Sequence, residues 1–506
     1  MTLIAGGGAG CDVFDVCTSN AECTRHFTEL DRANGGGETV PGICMDSGIC
    51  TRLLTDECTG VVGDYTDDAA ILIGSLFGTQ GAGGQSAMIG AQRQESVALA
   101  VEDFNRVGGI PGSEAGAYRP LVLVSCDDSS DLISAGSHLV DDLHIPAIIG
   151  PTTSQSTINL TQEVTAPGET VVISPTAGAA SVAELDDGGF TFQMTPNDAQ
   201  RGPPLIGHID ALENLLRAQR GGRDIRLAIL YSDDAIGLGV RASLDSPDLR
   251  LNGAGLADAR NLDNVRIDPV MPGTMDLGAL VDDYAAFQPD IVLLAGATEV
   301  LKMVIPLEER WPTVDPAPPR PFYIGVESTK GADLTTPTVG NDDLRLRISG
   351  IGLTSGGPSA SVLSAFQIAY QSRYGRPANQ TGMGSSYDAT YAIAFALAAT
   401  ADQPVSGRSI ANGLALLSGG PTQIELGPTR ILAAFQRFAL GDTIDAVGAY
   451  TPLRWDLAGA ILGGTIEVWC IGTDESGPVF EGSGLTYDLA SGEFTGQYRP
   501  CDLPGQ

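Results

Sequence analysis

The chain has 506 residues, of which 43% are hydrophobic, and its 62 acidic and 28 basic residues leave a net charge of −34. A chain of this length and apolar content folds into two or three domains with sizeable cores. The acidic balance argues against nucleic acid and anionic lipid surfaces as partners. No apolar run approaches the roughly eighteen residues of a membrane span.

Residues 1–68, here called the cysteine-rich head, hold six of the nine cysteines: Cys11, Cys17, Cys23, Cys44, Cys50 and Cys58. This segment is too poor in apolar residues to form its own core, so we expect it to be held by disulfides in an oxidising compartment. A cytoplasmic zinc site is the alternative, with only His26 nearby as a nitrogen ligand. Export is therefore favoured, to a periplasm or cell surface.

Three further expectations concern individual cysteines. Residues 3–10 are too short for a complete signal peptide, and if the chain begins inside one, "GAGC" marks Cys11 as a degenerate lipidation site with Gly8 in place of leucine. The other eight cysteines then pair. Cys17, Cys23, Cys44 and Cys50 are expected to bond largely within the head. Cys470 is expected to bond Cys501 around a polar tail, and Cys126 to reach Cys58 and attach the head to the body.

From residue 69 onward, short apolar runs alternate with helical stretches for nearly 400 residues. The runs lack alternation, are rich in β-branched residues and end in small or polar turns, which is typical of parallel strands in βαβ units. The predicted strands are "AILIGSL" from Ala69, "PLVLVS" from Pro120, "PAIIG" from Pro146, "TVVIS" from Thr170, "RLAILY" from Arg226, "DIVLLAG" from Asp290 and "FYIG" from Phe322. We therefore expect an α/β protein with ligand chemistry at the carboxyl ends of its strands.

A cluster of hydroxyls follows the third of these strands: Thr152, Thr153, Ser154 and Ser156. At the start of a helix, such side chains either cap free backbone N–H groups or bind a ligand. The sequence permits both interpretations.

The sequence motifs of dinucleotide-binding, catalytic and calcium-binding sites are incomplete in this chain. The loop "GTQGAGGQS" has Ser86 at the third glycine position of a dinucleotide-binding fingerprint, and no nucleotide-binding lysine follows it. None of the four histidines stands beside a nucleophile signature. The acidic "CDDSSD" lacks the spacing of a calcium loop, so Asp128 to Ser130 is better explained as a helix cap. We expect no catalytic residues, no metal and no cofactor.

Five segments, in order and at similar spacing, resemble the type I periplasmic binding proteins, in particular the group that binds leucine, isoleucine and valine. They are "ALAVEDFNRVGGIPG", "LVLVSCDDSSD", "PAIIGPTTSQST", "TVVISPTAGAASV" and "GSSYDATYAIAFALA". The resemblance extends from about residue 69 to about residue 472. The cysteine-rich head has no counterpart in the simple binding proteins.

The resemblance implies two lobes of parallel sheet flanked by helices, joined by three chain crossings. By this analogy residues 69–196 form the first part of lobe one and 197–349 the first part of lobe two. Residues 350–451 return to lobe one, and 452–506 complete lobe two and its disulfide-closed tail.

The resemblance also implies a set of ligand-binding residues. The turn at Thr153 and Ser154 and the loop at Thr176, Ala177 and Gly178 would hold a ligand carboxylate with hydroxyls and amides, without lysine or arginine. Glu327 would hold an ammonium group, unless it pairs with Lys330 or a nearby arginine, or caps the following segment. Several residues depart from the family pattern. Gly178 stands where the family has a threonine, and Ile236 and Ala297 stand where aromatic walls are usual. Ser130 and Thr153 occupy the places of the family's disulfide.

The function implied is that of an exported, monomeric receptor that closes on an amino acid or related small polar ligand and delivers it to an ABC permease. A ligand-sensing subunit of a membrane signalling system is an alternative, and an enzyme on an α/β scaffold is an alternative of another class. Ligand identity lies beyond the sequence.

Overall fold

A computed structural model describes residues 16–80, 84–114, 116–296, 298–353, 359–475 and 477–501. The head contributes one helix and three strands: α1 (Asn20–Ala33), β1 (Gly42–Cys44), β2 (Cys50–Arg52) and β3 (Cys58–Val62). Ser19 caps α1 by accepting the Glu22 N–H, and β1 and β2 pair as a small antiparallel hairpin.

Lobe one begins with a run of βα units after the head. Its elements are β4 (Ile71–Leu76), α2 (Gly84–Arg106), β5 (Ile110–Pro111), β6 (Tyr118–Arg119), β7 (Leu121–Cys126), α3 (Leu132–Ser137), β8 (Ala147–Ile149), α4 (Ser154–Leu160), β9 (Val171–Ser174), α5 (Ala180–Ala183) and β10 (Thr191–Gln193). The sheet has the order β10-β9-β8-β4-β7-β3, parallel except for β3. Strands β7, β8 and β9 are buried along their whole length, as expected for a parallel sheet covered on both faces.

Lobe two begins with a long helix and continues with a second parallel sheet. Its elements are α6 (Asp198–Gln219), β11 (Leu227–Ser232), α7 (Ala235–Ser243), β12 (Val265–Val270), α8 (Gly278–Phe287), β13 (Ile291–Ala295), α9 (Thr298–Leu301), α10 (Val304–Arg310), β14 (Phe322–Gly325), α11 (Ala332–Thr335), α12 (Asp342–Arg345) and β15 (Ile348–Leu353). Asn197 and Gln200 form a reciprocal capping box at the start of α6, which sets where this helix begins.

The chain then returns to lobe one through a helical segment: α13 (Ala360–Tyr374), α14 (Met383–Ala399), α15 (Gly407–Leu414), β16 (Gln423–Glu425), α16 (Ile431–Ala439) and β17 (Asp445–Val447). Helix α14 is buried on all sides, and Tyr391 and Phe395 pack on Phe104 of α2, with ring centroids 4.7 and 5.6 Å apart. Tyr387 and Tyr391 donate hydrogen bonds to the buried carboxylate of Asp103. These contacts join the returning segment to the first core.

Lobe two is completed by β18 (Thr465–Asp474), β19 (Gly477–Asp488) and β20 (Glu493–Gly496). They extend the sheet to the order β12-β11-β13-β14-β15-β18-β19-β20, and every pair from β15 to β20 is antiparallel. The expected parallel sheets are therefore mixed in both lobes. Along the described chain, crossings between lobes occur three times: between β10 and α6, between β15 and α13, and between β17 and β18.

Four disulfides connect the described cysteines: Cys17–Cys44, Cys23–Cys50, Cys58–Cys126 and Cys470–Cys501. The expected pairings within the head, in the tail and between head and body are all present, while Cys11 lies outside the described residues. The sulfurs of Cys17, Cys23 and Cys44 lie within 4.8 Å of one another because the first two disulfides are neighbours. Sulfur atoms in disulfides are not the thiolates that zinc requires.

The last strand of the head belongs to the lobe-one sheet. Strand β3 pairs antiparallel with β7, and Cys58 stands directly opposite Cys126 in this pairing. The Asp127 N–H of lobe one also donates to the Glu57 carbonyl of the head, 2.8 Å away. The head is thus fixed to lobe one by a strand, a disulfide and a hydrogen bond.

No helix in the described parts of the chain combines the length and the apolar character needed to cross a membrane.

Candidate functional site

The candidate site lies where the carboxyl ends of the lobe-one strands meet the start of α7 in lobe two. Buried Ala177, Ala179 and Val182 form an apolar cluster against which Ala235, the first residue of α7, is packed. The two lobes are therefore in contact beside the loops that follow β8 and β9. Ligands of open α/β sheets bind at this edge.

The hydroxyls after β8 serve as caps and as links to the neighbouring loop. Thr153 is the N-cap of α4: its Oγ1 accepts the Ser156 N–H at 3.1 Å and donates to Ser156 Oγ at 2.7 Å. Ser154 is 1% exposed, and its Oγ accepts the Ala179 N–H at 3.0 Å. Its hydroxyl hydrogen has no acceptor among the described residues.

The loop after β9 is bound to the same turn. Ser174 Oγ donates to the Pro151 carbonyl at 2.5 Å and accepts the Ala177 N–H at 3.2 Å. Thr176 Oγ1 donates to the Thr152 carbonyl at 2.7 Å. The two loops thus form one hydrogen-bonded unit in which both Ser174 and Thr176 have protein partners.

Arg201, which the sequence analysis did not select, lies directly beside Gly178. A Cβ on Gly178 would come 3.0 Å from Arg201 Nη1, so a side chain at this position would displace the guanidinium. Arg201 is 8% exposed, and its Nη2 donates to Thr195 Oγ1 at 2.7 Å. The start of α6 is held to the same loop because the Asp198 N–H donates to the Gly178 carbonyl at 2.9 Å. A cation therefore stands where only hydroxyls and amides were expected.

Asp198 is a buried carboxylate whose loss of hydration is not offset by hydrogen bonds from the described residues. It is 1% exposed, and among the described residues neither of its oxygens has a hydrogen-bond partner. Its Oδ1 lies 3.9 Å from Arg201 Nη1, beyond hydrogen-bond distance. Burial raises the pKa of Asp198 to about 7, Arg201 opposes this rise and Asp234 adds to it. Burial therefore favours the protonated carboxyl up to a higher pH than for an exposed aspartate.

Tyr450 lies near both a cation and an anion at the third crossing. Its hydroxyl is 3.4 Å from Thr195 Oγ1. Burial raises the pKa of Tyr450, the charge of Glu327 raises it further, and the charge of Arg201 lowers it.

Glu327 follows β14 in a short 3₁₀ turn and is half-buried. One of its carboxylate oxygens accepts the Leu353 N–H at 3.1 Å, at the end of β15. Lys330, the alternative partner, has its ammonium 3.6 Å from a carboxylate oxygen of Glu467. The second oxygen of Glu327 has no hydrogen-bond partner among the described residues. Glu327 is thus bonded to the residue that precedes the second crossing, and its other oxygen has no partner among the described residues.

Of the two residues expected in place of aromatic walls, only Ile236 is among the described residues. Ile236 is half-buried in the first turn of α7, and its N–H donates to Oδ1 of the cap residue Asp234 at 3.0 Å. This places Ile236 one residue after Ala235, at the contact between the lobes. Ala297 lies outside the described residues.

A second arginine lies on the other side of the loop at Thr176. A Cβ on Gly382 would approach both Arg93 Nε, at 2.6 Å, and Thr176 Cγ2, at 2.9 Å. Arg93 Nε donates to the Thr381 carbonyl at 2.9 Å. Desolvation lowers the pKa of Arg93 to about 10, and the charge of Asp128 opposes this change. Guanidinium groups therefore lie near both Thr176 and Gly178 of this loop.

Sequence analysis did not select Arg201 and Arg93 because their contacts join residues that are distant in the sequence. Arg201 occurs in an ordinary first helical turn, and its contact with Gly178 spans the first crossing. The one available clue was Gly178 itself, since replacing a side chain with glycine creates room for another group.

Comparisons with known proteins were made for the sequence and for the fold. Residues 71–304 match the family model described as periplasmic binding protein. The chemotactic signal transduction system substrate-binding protein BasB of Halobacterium salinarum is 31% identical over 232 residues, which are 45% of this chain and 50% of that protein. The match thus spans half the length of this curated relative.

Solved structures with this fold include three ligand-binding proteins. The branched-chain amino acid transporter substrate-binding protein of Streptococcus pneumoniae, in complex with isoleucine, is 18% identical with a TM-score of 0.55, covering 81% of this chain and 100% of that one. A leucine-binding protein of Thermotoga maritima is 13% identical with a TM-score of 0.56, covering 81% and 98%. A solute-binding protein of Rhodopseudomonas palustris, in complex with 3,4-dihydroxybenzoic acid, is 14% identical with a TM-score of 0.57, covering 85% and 99%.

Identities this low establish likeness of fold alone. Residues 71–304 are thus similar to the periplasmic binding protein family, within a chain that has the two-lobed fold of the type I periplasmic binding proteins.

Proposed function

We propose that this protein is an exported solute-binding receptor that captures an amino acid, or a related small polar molecule, by closure of its two lobes. The observation that carries the proposal is the meeting of the loop at 176–179 with Ala235 at the start of α7. Loops that combine hydroxyls, backbone amides and guanidinium groups favour an anionic group on the ligand. The four disulfides support export to an oxidising compartment.

The binding function is tested with a thermal-shift screen of the full chain against amino acids, carboxamides, short peptides and aromatic acids. A ligand that binds only the folded state stabilises it by about 2.7 kcal/mol at a hundred times its Kd. We expect at least one amino acid to raise the Tm, and calorimetry to give one site per chain. If no member of the panel raises the Tm, the proposal fails.

The receptor class also predicts that the ligand leaves unchanged. After prolonged incubation with the protein, NMR of the ligand is expected to show the starting compound alone. Conversion of the ligand would support the enzyme alternative instead.

For the membrane partner, we propose two candidates. Delivery to an ABC permease is what the resemblance to transport receptors implies. A signalling partner is favoured by the name of the 31% identical relative, which belongs to a chemotactic system. Disruption of the gene in its native host separates them: loss of uptake of the labelled ligand with intact taxis supports the permease, and loss of taxis with intact uptake supports the signalling partner.

A further inference from the structure

The third crossing between the lobes is held by a buried carboxylate of lobe one. Asp388 lies in α14 and is 0% exposed. Its Oδ1 accepts the Ala449 N–H and its Oδ2 accepts the Tyr450 N–H, each at 2.7 Å. Both oxygens of this carboxylate are therefore bonded to the backbone of two consecutive residues of the crossing.

The turn that leads into the crossing is shaped around this carboxylate. A Cβ on Gly448 would come 2.2 Å from Asp388 Oδ2, so a side chain at this position would displace the carboxylate. The Gly448 N–H donates to the Thr451 carbonyl at 3.0 Å and closes the turn. Burial raises the pKa of Asp388 to about 7, and the N–H groups of Tyr450, Ala449 and Thr451 oppose this rise. The ionised carboxylate, which accepts at both oxygens, therefore predominates at pH 8.

Tyr450 has its backbone in one lobe and its side chain in the other. Its neighbours Ala449 and Leu453 belong to the hydrophobic core of lobe one, whereas the Tyr450 side chain packs on the hydrophobic core of lobe two. Its hydroxyl is 3.4 Å from Thr195 Oγ1 in the first crossing. One residue thus contacts both lobes and two of the three crossings.

We propose that Asp388 is a positioning residue for lobe closure, which holds the backbone of Tyr450 so that its side chain is a fixed pivot between the lobes. The inference rests on the proposed receptor function. Hinge closure concentrates the backbone changes in a few residues, and a charged acceptor bound to two N–H groups away from water is a strong restraint on them. Without this restraint, the turn at the third crossing would shift and the ligand-free lobes would sample a wider range of arrangements.

The test measures the distance between the lobes in the ligand-free chain. Spin labels on p-acetylphenylalanine replace exposed Ile368 in lobe one and exposed Leu262 in lobe two, so the disulfide cysteines are left unchanged. Double electron–electron resonance at pH 8 then gives the distribution of the distance between the labels. Asp388→Asn is expected to broaden this distribution, because the amide accepts one N–H through its oxygen while its NH2 group opposes the other.

Two further variants separate the pivot from general stability. Asp103→Asn is the matched control, because Asp103 is also a buried carboxylate of lobe one and is bound by side chains of lobe one. Its distance distribution is expected to match that of the wild type. Gly448→Ala displaces the Asp388 carboxylate while keeping it, and it is expected to broaden the distribution as Asp388→Asn does. If Asp388→Asn does not fold, as judged by circular dichroism, Gly448→Ala decides by the same comparison.

Ligand affinity supplies a second measurement. The probes are the amino acids, carboxamides, short peptides and aromatic acids of the thermal-shift panel, used in calorimetry at pH 8. Asp388→Asn is expected to weaken every panel compound that binds the wild type by about threefold to tenfold, since apparent affinity falls with the fraction of protein in the binding-competent arrangement. The loss is expected to be the same for all these compounds, because Asp388 contacts the crossing and not the ligand.

The outcomes distinguish the inference from the function on which it rests. Variants at Asp388 and Gly448 with distributions as narrow as that of the wild type overturn the inference and leave the receptor function standing. An equal broadening in Asp103→Asn, or a loss of affinity confined to one class of panel compound, also overturns the inference. A wild type that binds no panel compound overturns the proposed function, and the inference with it.

Discussion

Replacing Asp198 with asparagine is expected to stabilise the ligand-free protein at neutral and alkaline pH. The Asp198 carboxyl is buried, lacks hydrogen-bond partners among the described residues and has its pKa raised from 3.8 to about 7, chiefly by burial. Between these two values the unfolded chain releases the proton while the folded chain retains it. The folded state therefore loses stability as pH rises, because the unfolded state binds fewer protons.

The size of the effect follows from the same two pKa values. At 1.36 kcal/mol for each pH unit, the rise from 3.8 to about 7 corresponds to about 4 kcal/mol in all, of which about 2.6 falls between pH 5 and pH 8. The wild type is expected to lose this free energy of unfolding on going from pH 5 to pH 8. Asp198→Asn removes the titrating group, so its own loss over this range is smaller by about 2.6 kcal/mol.

Urea unfolding at pH 5 and pH 8, followed by circular dichroism, measures both proteins. Comparing the pH difference within each protein cancels any change in hydrogen bonding that the amide introduces. Asp245→Asn is the control, since the Asp245 side chain is 67% exposed and surface substitutions change stability by about 0.5 kcal/mol or less. Equal pH dependence in wild type and Asp198→Asn would show that Asp198 titrates normally and would refute the argument.

Three further predictions concern the site and the head. Ser154→Ala is expected to weaken ligand affinity about tenfold or more and also to destabilise the fold by about 1 to 3 kcal/mol, because the Ala179 N–H loses its acceptor; lower stability with unchanged affinity in calorimetry would make Ser154 purely structural. Glu327→Gln is expected to reduce affinity for amine-bearing ligands much more than for des-amino ligands, and equal losses for both classes would remove the amino-acid assignment. Replacing Cys58 and Cys126 together by serine opens a loop of 68 residues and is expected to cost about 4 kcal/mol in urea unfolding; unchanged stability would contradict this.

Strands that are buried along both faces were predictable because their sequences are uninterrupted apolar runs. Strands β7, β8 and β9 are of this kind, and each was expected from its residues. Strands β18 to β20 were not selected: β20 is exposed along its whole length and most of β19 is exposed or half-buried, so neither has the uninterrupted apolar run of a buried strand, and β18 ends in exposed polar residues. Their antiparallel addition at β15 depends on packing between distant parts of the chain.

The candidate site was predictable only where a contact is local or carried by the family pattern. Thr153 and Ser154 stand at the start of α4, as expected from the hydroxyl cluster. The contact of Arg201 with Gly178 joins residues on opposite sides of a lobe crossing, and the influence of Arg201 and Glu327 on Tyr450 joins three segments. Neither spacing nor periodicity contains such contacts, which arise when the lobes assemble.

The attachment of the head to lobe one decides which part of the molecule moves. Strand β3 and the Cys58–Cys126 disulfide make the head and lobe one a single body, whereas the Cys470–Cys501 disulfide holds the tail to lobe two. Seen from the head, the lobe closure that we propose would therefore displace lobe two and the tail with it. A partner bound to the head would detect ligand binding as a change in the distance between the head and the tail. Two fluorophores, one on the head and one on the tail, would measure the same distance.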